Sequence, residues 1–178
     1  MADDRQFEYE MELFQTDLKW VALLWRGGRL ARLSFYKNKR SVTRDDMVAC
    51  CGFEPRQKCR LTELAERVIA YSRGERVSFT DVNIEPAATA FKSRVLTYCQ
   101  TIPFGEVVTY GEVAKAVGSP ASARAVGGVM QSNPVPLIVP CHRVVGTGNR
   151  LVGFSAGSGI ALKRKLLEME GVKQEFVL

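Results

Sequence analysis

The chain has 178 residues, of which 46% are apolar, enough for one domain or two small ones with a buried core. Its longest strictly apolar runs, such as Trp20 to Trp25, are far shorter than a membrane span, so no membrane attachment is expected. Five cysteines, an odd number, favour a reducing compartment over a disulfide framework. The acidic N-terminus is not followed by the apolar core of a signal peptide, so secretion is not expected.

The net charge of +6 is concentrated in the second half of the chain. Residues 1–88 hold 15 Lys and Arg against 14 Asp and Glu, a net charge of +1, whereas residues 89–178 hold 10 against 5, a net charge of +5. A basic half favours a polyanionic partner whose association weakens as the salt concentration rises. The alternative is a set of solvated lysines and arginines without a partner.

The first half predicts a small α/β unit. Apolar residues that alternate or run together predict strands at 7–14, 19–25, 30–36 and Ser78–Ile84. Arg26-Gly27-Gly28-Arg29 is a natural hairpin turn, and the helical spacing of apolar residues predicts an amphipathic helix over 60–73. Glu85-Pro86-Ala87-Ala88 is interpreted as a linker, which gives domains of 1–85 and 86–178. Nothing in the first domain predicts chemistry.

The second half opens with a predicted helix, because Phe91, Val95, Tyr98, Cys99 and Ile102 share one helical face. Two short helices are predicted next, around a tight turn, which is the pattern of a helix-turn-helix. The first would begin at a Thr109–Glu112 capping box and end at Gly118. The second would be capped by Ser119-Pro120 and stopped by Asn133-Pro134.

The second of these short helices has an unusual outward face. Its predicted buried arc holds Ala125, Val126 and Val129, and the opposite arc holds Ala123, Arg124, Gly127, Gly128 and Gln131. Glycine inside a helix costs up to about 1 kcal/mol relative to alanine, so two in succession need a reason. Close approach of another backbone would supply it, and tight packing on the first half of the chain is the alternative.

The only histidine of the chain, His142, directly follows Cys141. A neighbouring imidazole is a common means of making a thiol nucleophilic, although a buried core cysteine is the ordinary alternative. Three prolines predict that 135–145 is extended, so the two side chains would point to opposite sides and a water would bridge them. Glu170 falls on the apolar arc of the last helix and is the candidate partner of His142, whereas Glu168 lies on the opposite side.

Several blocks of sequence occur in a specific order along the second half. They are Ile102-Pro103-Phe104-Gly105-Glu106-Val107-Val108-Thr109-Tyr110, Ala123-Arg124-Ala125-Val126-Gly127-Gly128, Asn133-Pro134-Val135-Pro136, Pro140-Cys141-His142-Arg143 and Gly153-Phe154-Ser155-Ala156-Gly157. In this order and spacing, the chain from about Ala90 to Gly171 resembles the O6-alkylguanine-DNA alkyltransferases, the suicidal repair proteins for alkylated guanine. The first 85 residues match that family only in layout.

The resemblance implies an α+β fold, in which a small RNase H-like sheet with a helix precedes a winged helix-turn-helix domain. It implies a monomer that binds the minor groove of double-stranded DNA, in the nucleus of a eukaryote or the cytoplasm of a prokaryote. The alkylated guanine would be flipped out of the duplex, and its O6-alkyl group would pass irreversibly to Cys141, once per chain. No cofactor is implied.

The resemblance also assigns roles to residues, on the positions that match. Cys141, His142 and Glu170 match a Cys-water-His-Glu relay, and Tyr110 matches the tyrosine that stabilises the departing guanine anion. Arg124 matches an arginine inserted into the vacated stack. The substrate-binding set is Asn133, Ser155, Phe154 and Val144, and the DNA-binding set is Arg124, Tyr110, Gly111, Ala123, Gln131 and Thr147. Ordinary alternatives exist for Arg124, Tyr110 and Asn133: a solvated arginine, a core tyrosine and a helix C-cap.

Two departures from the family pattern and one absence are expected. Phe154 stands where the family often has tyrosine, which removes a polar contact but keeps an aromatic ring. The Gly157-Ser158-Gly159 stretch is slightly longer than in some relatives. No structural zinc is expected, because no histidine precedes His142 and Cys50, Cys51 and Cys59 lack a usual ligand spacing.

Three other functions fit parts of the pattern. A non-catalytic alkylated-base binding protein of the same fold would lack the cysteine. A winged-helix transcription regulator would not need the Pro-Cys-His-Arg segment or an inward glutamate. A cysteine hydrolase would need an oxyanion hole and a turnover cycle. DNA carrying a labelled O6-methylguanine separates these functions, because only an alkyltransferase moves the label to protein.

Overall fold

The computed structural model describes residues 9–37, 56–58 and 60–177. The chain divides into two compact units. The first holds the residues up to Glu75 together with Val82–Glu85, and the second holds Arg76–Asp81 and everything from Pro86 onward. A single boundary after residue 85 therefore misses a short segment, 76–81, that belongs to the second unit. Of the described helices, none is long and apolar enough to cross a membrane.

The first unit is built on a four-stranded sheet. Its strands are β1 (Tyr9–Gln15), β2 (Trp20–Arg26), β3 (Arg29–Tyr36) and β4 (Arg56–Gln57). Their order is β3-β2-β1-β4, with β1–β2 and β2–β3 antiparallel and β1–β4 parallel. Gly27 and Gly28 both have positive φ, 53° and 75°, which is the backbone that a two-residue hairpin with the right twist requires. The predicted hairpin is therefore present.

Helix α1 (Glu63–Ser72) completes the first unit, within the predicted 60–73. Thr62 caps it, since its side chain accepts a hydrogen bond from the Ala65 amide. The predicted strand over Ser78–Ile84 is wrong, because the structure has no strand over these residues and Ile84 forms an isolated bridge to Leu30. Phe79 is instead buried in the second unit, where its carbonyl accepts a hydrogen bond from Gln100 Nε2 at 2.8 Å. Burial of the Phe79 ring explains the strand-like pattern of the sequence.

The second unit opens with helix α2 (Ala90–Gln100), which buries Val95, Leu96 and Cys99. A two-stranded parallel sheet follows, formed by β5 (Val108–Thr109) and β6 (Val144–Val145). Helix α3 (Tyr110–Ala116) begins directly after β5, with both bonds of the predicted Thr109–Glu112 capping box present. Gly118 lies just beyond it with a φ of 73°, as a helix-ending glycine requires.

Helix α4 (Ala123–Gln131) starts later than predicted. Ser122, not Ser119, is its N-cap residue, and no side chain caps it, so Pro120 lies in the turn rather than in the first helical turn. Its buried residues are Val126, Val129 and Met130, whereas Ala125 is exposed, contrary to the prediction. Val126, Val129 and Met130 share one helical face by their i, i+3, i+4 spacing, and the helix packs on α2 and α3.

The last helix, α5 (Ile160–Met169), buries Leu162, Lys163, Leu166 and Leu167. Glu170 is its C-cap residue and is also buried. The chain then turns back, and Val177 pairs with the backbone of Asn149–Leu151. Leu167 packs there with Val145 and Leu151 in one apolar cluster. Helix α5 is thereby fixed against the strand that follows the Cys141-His142 pair.

Candidate active site

Cys141–Arg143 forms a single turn of 3-10 helix between Pro140 and β6. The prediction of an extended 135–145 is wrong, because residues 141–143 close this turn and the chain already turns at Leu137, which has a φ of 73° and lies where the Val139 amide donates to the Val135 carbonyl at 3.0 Å. Strand alternation therefore does not apply to Cys141 and His142, and the bridging water stays a prediction. Both side chains are buried, with Cys141 3% and His142 0% exposed. The thiol is thus almost fully shielded from solvent.

Glu170 lies behind the histidine, as the apolar arc of the last helix indicated. Its Oε1 is 2.8 Å from His142 Nε2. Arg143 binds the same carboxylate in a bidentate manner, with Nε 3.0 Å from Oε2 and Nη2 2.9 Å from Oε1, and the Gly105 amide donates to Oε2 at 3.1 Å. Burial alone would raise the pKa of the carboxyl of Glu170, but His142 and Arg143 outweigh it and hold that pKa well below its usual range.

Arg143 is a residue of this site that the sequence reasoning named only as part of the motif. Besides the carboxylate, it donates from Nη1 to the Ile102 carbonyl at 2.5 Å and lies over the Phe104 ring. The guanidinium neutralises Glu170 inside the protein. Burial lowers the pKa of His142, although Glu170 opposes that shift, so the imidazole is neutral near pH 7 and able to accept a proton.

The thiol of Cys141 is a protonated group in the free protein. Burial raises its pKa, and the side chain of Asn133, the charge of Lys163 and the local backbone act in the opposite direction. Asn133 also holds the segment that leads to the thiol, because its Nδ2 donates to the Val139 carbonyl at 2.9 Å and its Oδ1 accepts from the Val135 amide at 3.1 Å. Its side chain therefore organises the nucleophile's segment, while Ser132 is the C-cap residue of α4.

Lys163 is the second residue that the sequence reasoning missed. It is 0% exposed, and its Nζ donates to the carbonyls of Val144 at 2.6 Å and Val152 at 2.9 Å. A signal was available, because 163, 166, 167 and 170 follow the i, i+3, i+4, i+7 spacing of one helical face. Lysine is usually a surface residue, so the apolar pattern of the helix did not predict that Lys163 is buried.

Tyr110, the first residue of α3, reaches the same loop as Lys163. Its hydroxyl donates to the Val152 carbonyl at 3.0 Å, and burial, followed by the nearby thiols, raises its pKa to about 12. Gly153 makes this approach possible, since a Cβ at that position would lie 2.7 Å from the Tyr110 oxygen. The glycine also has a φ of 66°, a region that other residues rarely adopt. Tyr110 is thereby fixed at the edge of the site.

The other predicted substrate-binding residues border this region. Phe154 is buried, and Ser155 is exposed with its Oγ donating to the Gln131 carbonyl at 2.7 Å. This bond ties the 152–155 loop to the C-terminal end of α4. Val144 follows the turn, and its carbonyl is the one that Lys163 binds. The structure therefore brings together Cys141, His142, Glu170, Asn133, Tyr110, Val144 and the 152–155 loop.

The predicted DNA-binding residues lie on three segments. Arg124 and Gln131 are exposed on α4, and Ala123 is half-buried at its start. Gly111 is half-buried in the first turn of α3, and Thr147 is exposed after β6. A Cβ at Gly127 or Gly128 would meet nothing within 4 Å among the described residues, so the bare face of α4 is open. Packing by the chain's own described residues does not explain these two glycines.

Comparisons with known proteins agree with this geometry. Residues 90–172 match the family described as 6-O-methylguanine DNA methyltransferase, DNA binding domain. The methylated-DNA–protein-cysteine methyltransferase of Methanosarcina acetivorans is 44% identical over 109 residues, which cover 61% of this chain and 68% of that relative. The crystal structure of the Mycobacterium tuberculosis O6-methylguanine methyltransferase is 32% identical, with a TM-score of 0.75, and covers 94% of this chain and 95% of that one. The Mycobacterium tuberculosis OGT solved in complex with DNA is 34% identical, with a TM-score of 0.73, and covers 90% and 92% of the two chains.

A buried thiol beside a histidine–carboxylate pair, in a mixed α/β fold, defines a protein that uses a cysteine as its nucleophile. The chain belongs to the methylated-DNA–protein-cysteine methyltransferase family. The predicted family is confirmed, and with it the prediction of a DNA-repair enzyme that transfers an alkyl group to its own cysteine.

Proposed function

We propose that Cys141 accepts the alkyl group from an O6-alkylguanine that has been flipped out of double-stranded DNA. The observation that carries this proposal is the buried Cys141 thiol beside a His142–Glu170 pair 2.8 Å apart. The sulfur attacks the alkyl carbon, the bond from that carbon to O6 breaks, and a thioether remains on Cys141. None of the described residues around Cys141 is a group that cleaves a thioether, so in this proposal each chain acts once.

The proton steps follow from the resting charges. Burial keeps the thiol protonated and the imidazole neutral, so the thiol proton must move as the substrate arrives. In the proposal it passes through one water to His142, and Glu170 stabilises the imidazolium that forms. Arg143 holds the carboxylate ionised and in place by its two hydrogen bonds. The guanine leaves as an anion, and Tyr110, a phenol with a pKa raised to about 12, donates a hydrogen bond to it.

The 152–155 loop and the nucleophile's segment are proposed to form the base pocket. Phe154 supplies an aromatic wall, Val144 a backbone carbonyl, and Ser155 a hydroxyl for O6. In the free protein, that hydroxyl donates to the Gln131 carbonyl. Base entry would therefore exchange one hydrogen bond of Ser155 for another, at little net cost. Asn133 joins α4 to the thiol and acts as the hinge between DNA contact and chemistry.

The open face of α4 is the proposed DNA contact, in the minor groove. Gly127 and Gly128 leave room for a sugar–phosphate backbone, and Arg124 is exposed at the position from which it can fill the gap left by the flipped base. The +5 charge of the second half favours the same partner. Further contacts are proposed for Gly111, Ala123, Gln131 and Thr147. The support is the exposure of α4, together with the related Mycobacterium tuberculosis protein that was solved with DNA.

Finer features of the fold belong to the same proposal. The order β3-β2-β1-β4, with a parallel β4, supports the RNase H-like interpretation of the first unit. Helices α3 and α4 with the turn between them support a helix-turn-helix, and the 146–151 loop paired with Val177 supports a wing. The protein is proposed to act as a monomer. The cysteines on which the zinc expectation rests, Cys50, Cys51 and Cys59, lie outside the described residues.

The test is incubation with duplex DNA that carries a labelled O6-methylguanine. We expect one label per chain, and a mass increase of one methyl group on the peptide that contains Cys141. Label on Cys99 or another cysteine would contradict the proposal, as would release of labelled methanol. DNA binding without transfer would identify a non-catalytic lesion-binding protein.

A further inference from the structure

Phe104 contacts the ion pair behind the histidine, and the proposed function gives it no role. It lies in the turn between α2 and β5, and the guanidinium carbon of Arg143 is 5.9 Å from the centre of its ring. A guanidinium at this distance over an aromatic ring is attracted by the face of the ring. The ring is therefore a further partner of Arg143, besides the Glu170 carboxylate and the Ile102 carbonyl.

The pair of Arg143 and Glu170 borders a cavity of about 600 Å³, which Phe104 and Gly105 also line. The Glu170 side chain is nevertheless 0% exposed, and that of Arg143 is 7% exposed. Water beside a carboxylate weakens its attraction to a partner, because it raises the local dielectric constant. The strength of the pair therefore depends on the residues that separate it from the cavity. Phe104 is such a residue, since its ring touches Arg143 and lines the cavity.

The Phe104 ring has a second contact, which does not involve the ion pair. The guanidinium carbon of Arg76 lies 5.5 Å from the ring centre. Arg76 belongs to the 76–81 segment of the second unit, in which Phe79 is buried and its carbonyl accepts the hydrogen bond from Gln100. The position of the Phe104 ring is thus supported by this segment as well as by Arg143.

The groups that face His142 on the other side of the carboxylate set the protonation of the imidazole. Glu170 favours the imidazolium, whereas burial, Arg143 and Lys163 oppose it and lower the pKa of His142. The adjacent thiol of Cys141 is neutral in the free protein. If Arg143 moved away, its repulsion of the imidazolium would weaken, and water that reached the pair would reduce the cost of burial. Both changes act to raise the pKa of His142.

We propose that Phe104 is a positioning residue of the alkyl-transfer site, which holds the Arg143 guanidinium against Glu170 and keeps the water of the cavity away from this pair. This rests on the proposed function, in which Glu170 stabilises the imidazolium of His142. Phe104 takes no proton and forms no bond during transfer, so it acts only through Arg143 and Glu170. Its effect is present before DNA binds, which allows a test on the free protein.

The test is the pH titration of the imidazole NMR signals of His142, which is the only histidine of the chain. The protein is used without a histidine tag, so that these signals come from one residue. In Phe104→Leu, which keeps an apolar side chain but removes the ring, we expect the pKa of His142 to rise by about one unit, since charges and burial commonly shift a pKa by one unit or more. Phe104→Tyr keeps a ring and should titrate like the wild type. A Phe104→Leu titration that superimposes on that of the wild type, whatever the melting temperature, would overturn the proposal.

Phe91→Leu is the matched control for the loss of a ring under an arginine. Phe91 is half-buried like Phe104, and the guanidinium carbon of Arg94 lies 6.0 Å from its ring centre. Both residues of this second pair are on α2, and Arg94 is exposed. The His142 titration of Phe91→Leu should therefore match that of the wild type. A shift as large as that of Phe104→Leu would show a general effect of ring removal and would contradict the proposal.

Single-turnover transfer from O6-methylguanine DNA separates this proposal from the proposed function. Phe104→Leu should slow transfer about tenfold, because small displacements of positioning groups slow a reaction. In a Glu170→Gln background it should slow transfer little further, since the carboxylate that it supports is no longer charged. Fully additive effects would place the action of Phe104 elsewhere and overturn the proposal. A protein with the expected His142 titrations and no transfer by the wild type would contradict the proposed function alone.

Discussion

Glu12 in the first unit and Glu170 in the second are both buried carboxylates, but their partners differ. Glu12 accepts hydrogen bonds from Trp25 Nε1 at 2.5 Å, the Thr62 amide at 2.6 Å and the Thr62 hydroxyl at 3.0 Å. All three donors are neutral and keep their protons across the physiological pH range. Glu12 therefore fastens β2 and the start of α1 to β1.

Glu170 is held by a cation and by the one histidine of the chain. Arg143 keeps its charge, whereas His142, whose pKa is lowered by burial, is neutral near pH 7 and is able to accept a proton from the thiol. The same residue type, buried in both units, is thus a brace in one unit and, in the proposed mechanism, part of a proton relay in the other. The difference lies in whether one of the donors can titrate, and in whether that donor lies beside a nucleophile.

The largest expected effect is that of Cys141→Ser, which should abolish alkyl transfer while DNA affinity stays within about twofold. An alcohol has a far higher pKa than a thiol and is a poor nucleophile at carbon. The measurement is label transfer together with a DNA-binding titration at fixed salt concentration. Transfer at the wild-type rate would show that another residue is the nucleophile and that Glu170 does not take part in the chemistry.

Glu170→Gln and Glu12→Gln should separate the two carboxylates. Either change destabilises the protein by about 1–3 kcal/mol, because buried donors lose part of a charged acceptor. Only Glu170→Gln should also slow single-turnover transfer, by a factor on the order of a hundred, as expected for the loss of acid–base assistance. The measurements are the melting temperature and the transfer rate of each variant. Glu168→Gln is the control, because Glu168 is exposed on α5 and its substitution should change neither quantity. If Glu12→Gln slowed transfer as much as Glu170→Gln, the distinction between a structural and a functional carboxylate would be wrong.

A smaller loss is expected for Gly153→Ala. The added Cβ would lie 2.7 Å from the Tyr110 oxygen, on a backbone with a φ of 66°. Relief of that contact displaces the tyrosine, at a cost in stability of about 1–2 kcal/mol, and transfer should slow about tenfold. Combining it with Tyr110→Phe tests the cause, because the two changes should then not be additive. If the effects of the two substitutions on transfer were fully additive, Gly153 would be required by the conformation of the loop and not by the position of Tyr110.

Arg124→Ala should have the most selective effect, with no accompanying loss of stability. A side chain that only fills the gap left by a flipped base matters for duplex DNA and not for the free base O6-benzylguanine. We expect transfer from duplex DNA to slow about tenfold, a free-energy change of about 1.4 kcal/mol, with the reaction of the free base unchanged. An equal loss on both substrates would assign Arg124 to the fold or the pocket.

Sequence patterns predicted the elements that carry periodic apolar residues or specific capping residues. The Gly27-Gly28 hairpin and the Thr109–Glu112 capping box depend only on residues that are close in sequence, so the sequence alone predicts them. Glu170 was found because a carboxylate on an apolar arc needs a partner. Its contact with His142 is present in the structure, and its role in transfer stays a prediction.

The missed features depend on tertiary contacts that apolar patterning alone does not predict. Lys163 is buried because two carbonyls from distant segments meet above α5. Arg143 became part of the site because Glu170 and the Ile102 carbonyl converge on it. The turn at Cys141–Arg143 replaced the expected extended segment because prolines restrict only their own positions and the ones before them. The sequence around Phe79 predicted a strand because its apolar ring is buried, and burial alone does not require a strand.

The central claim is that Glu170 assists the thiol through His142, and the pH dependence of single-turnover transfer tests it most directly. The wild-type rate should rise with pH as the thiol loses its proton more readily. In Glu170→Gln the imidazolium is less stable, so the rising limb should move to higher pH and the rate at pH 7 should fall. Glu12→Gln and Glu168→Gln should keep the wild-type limb. A Glu170→Gln profile that superimposes on the wild type in both position and rate would make the carboxylate structural, like Glu12, and the relay wrong.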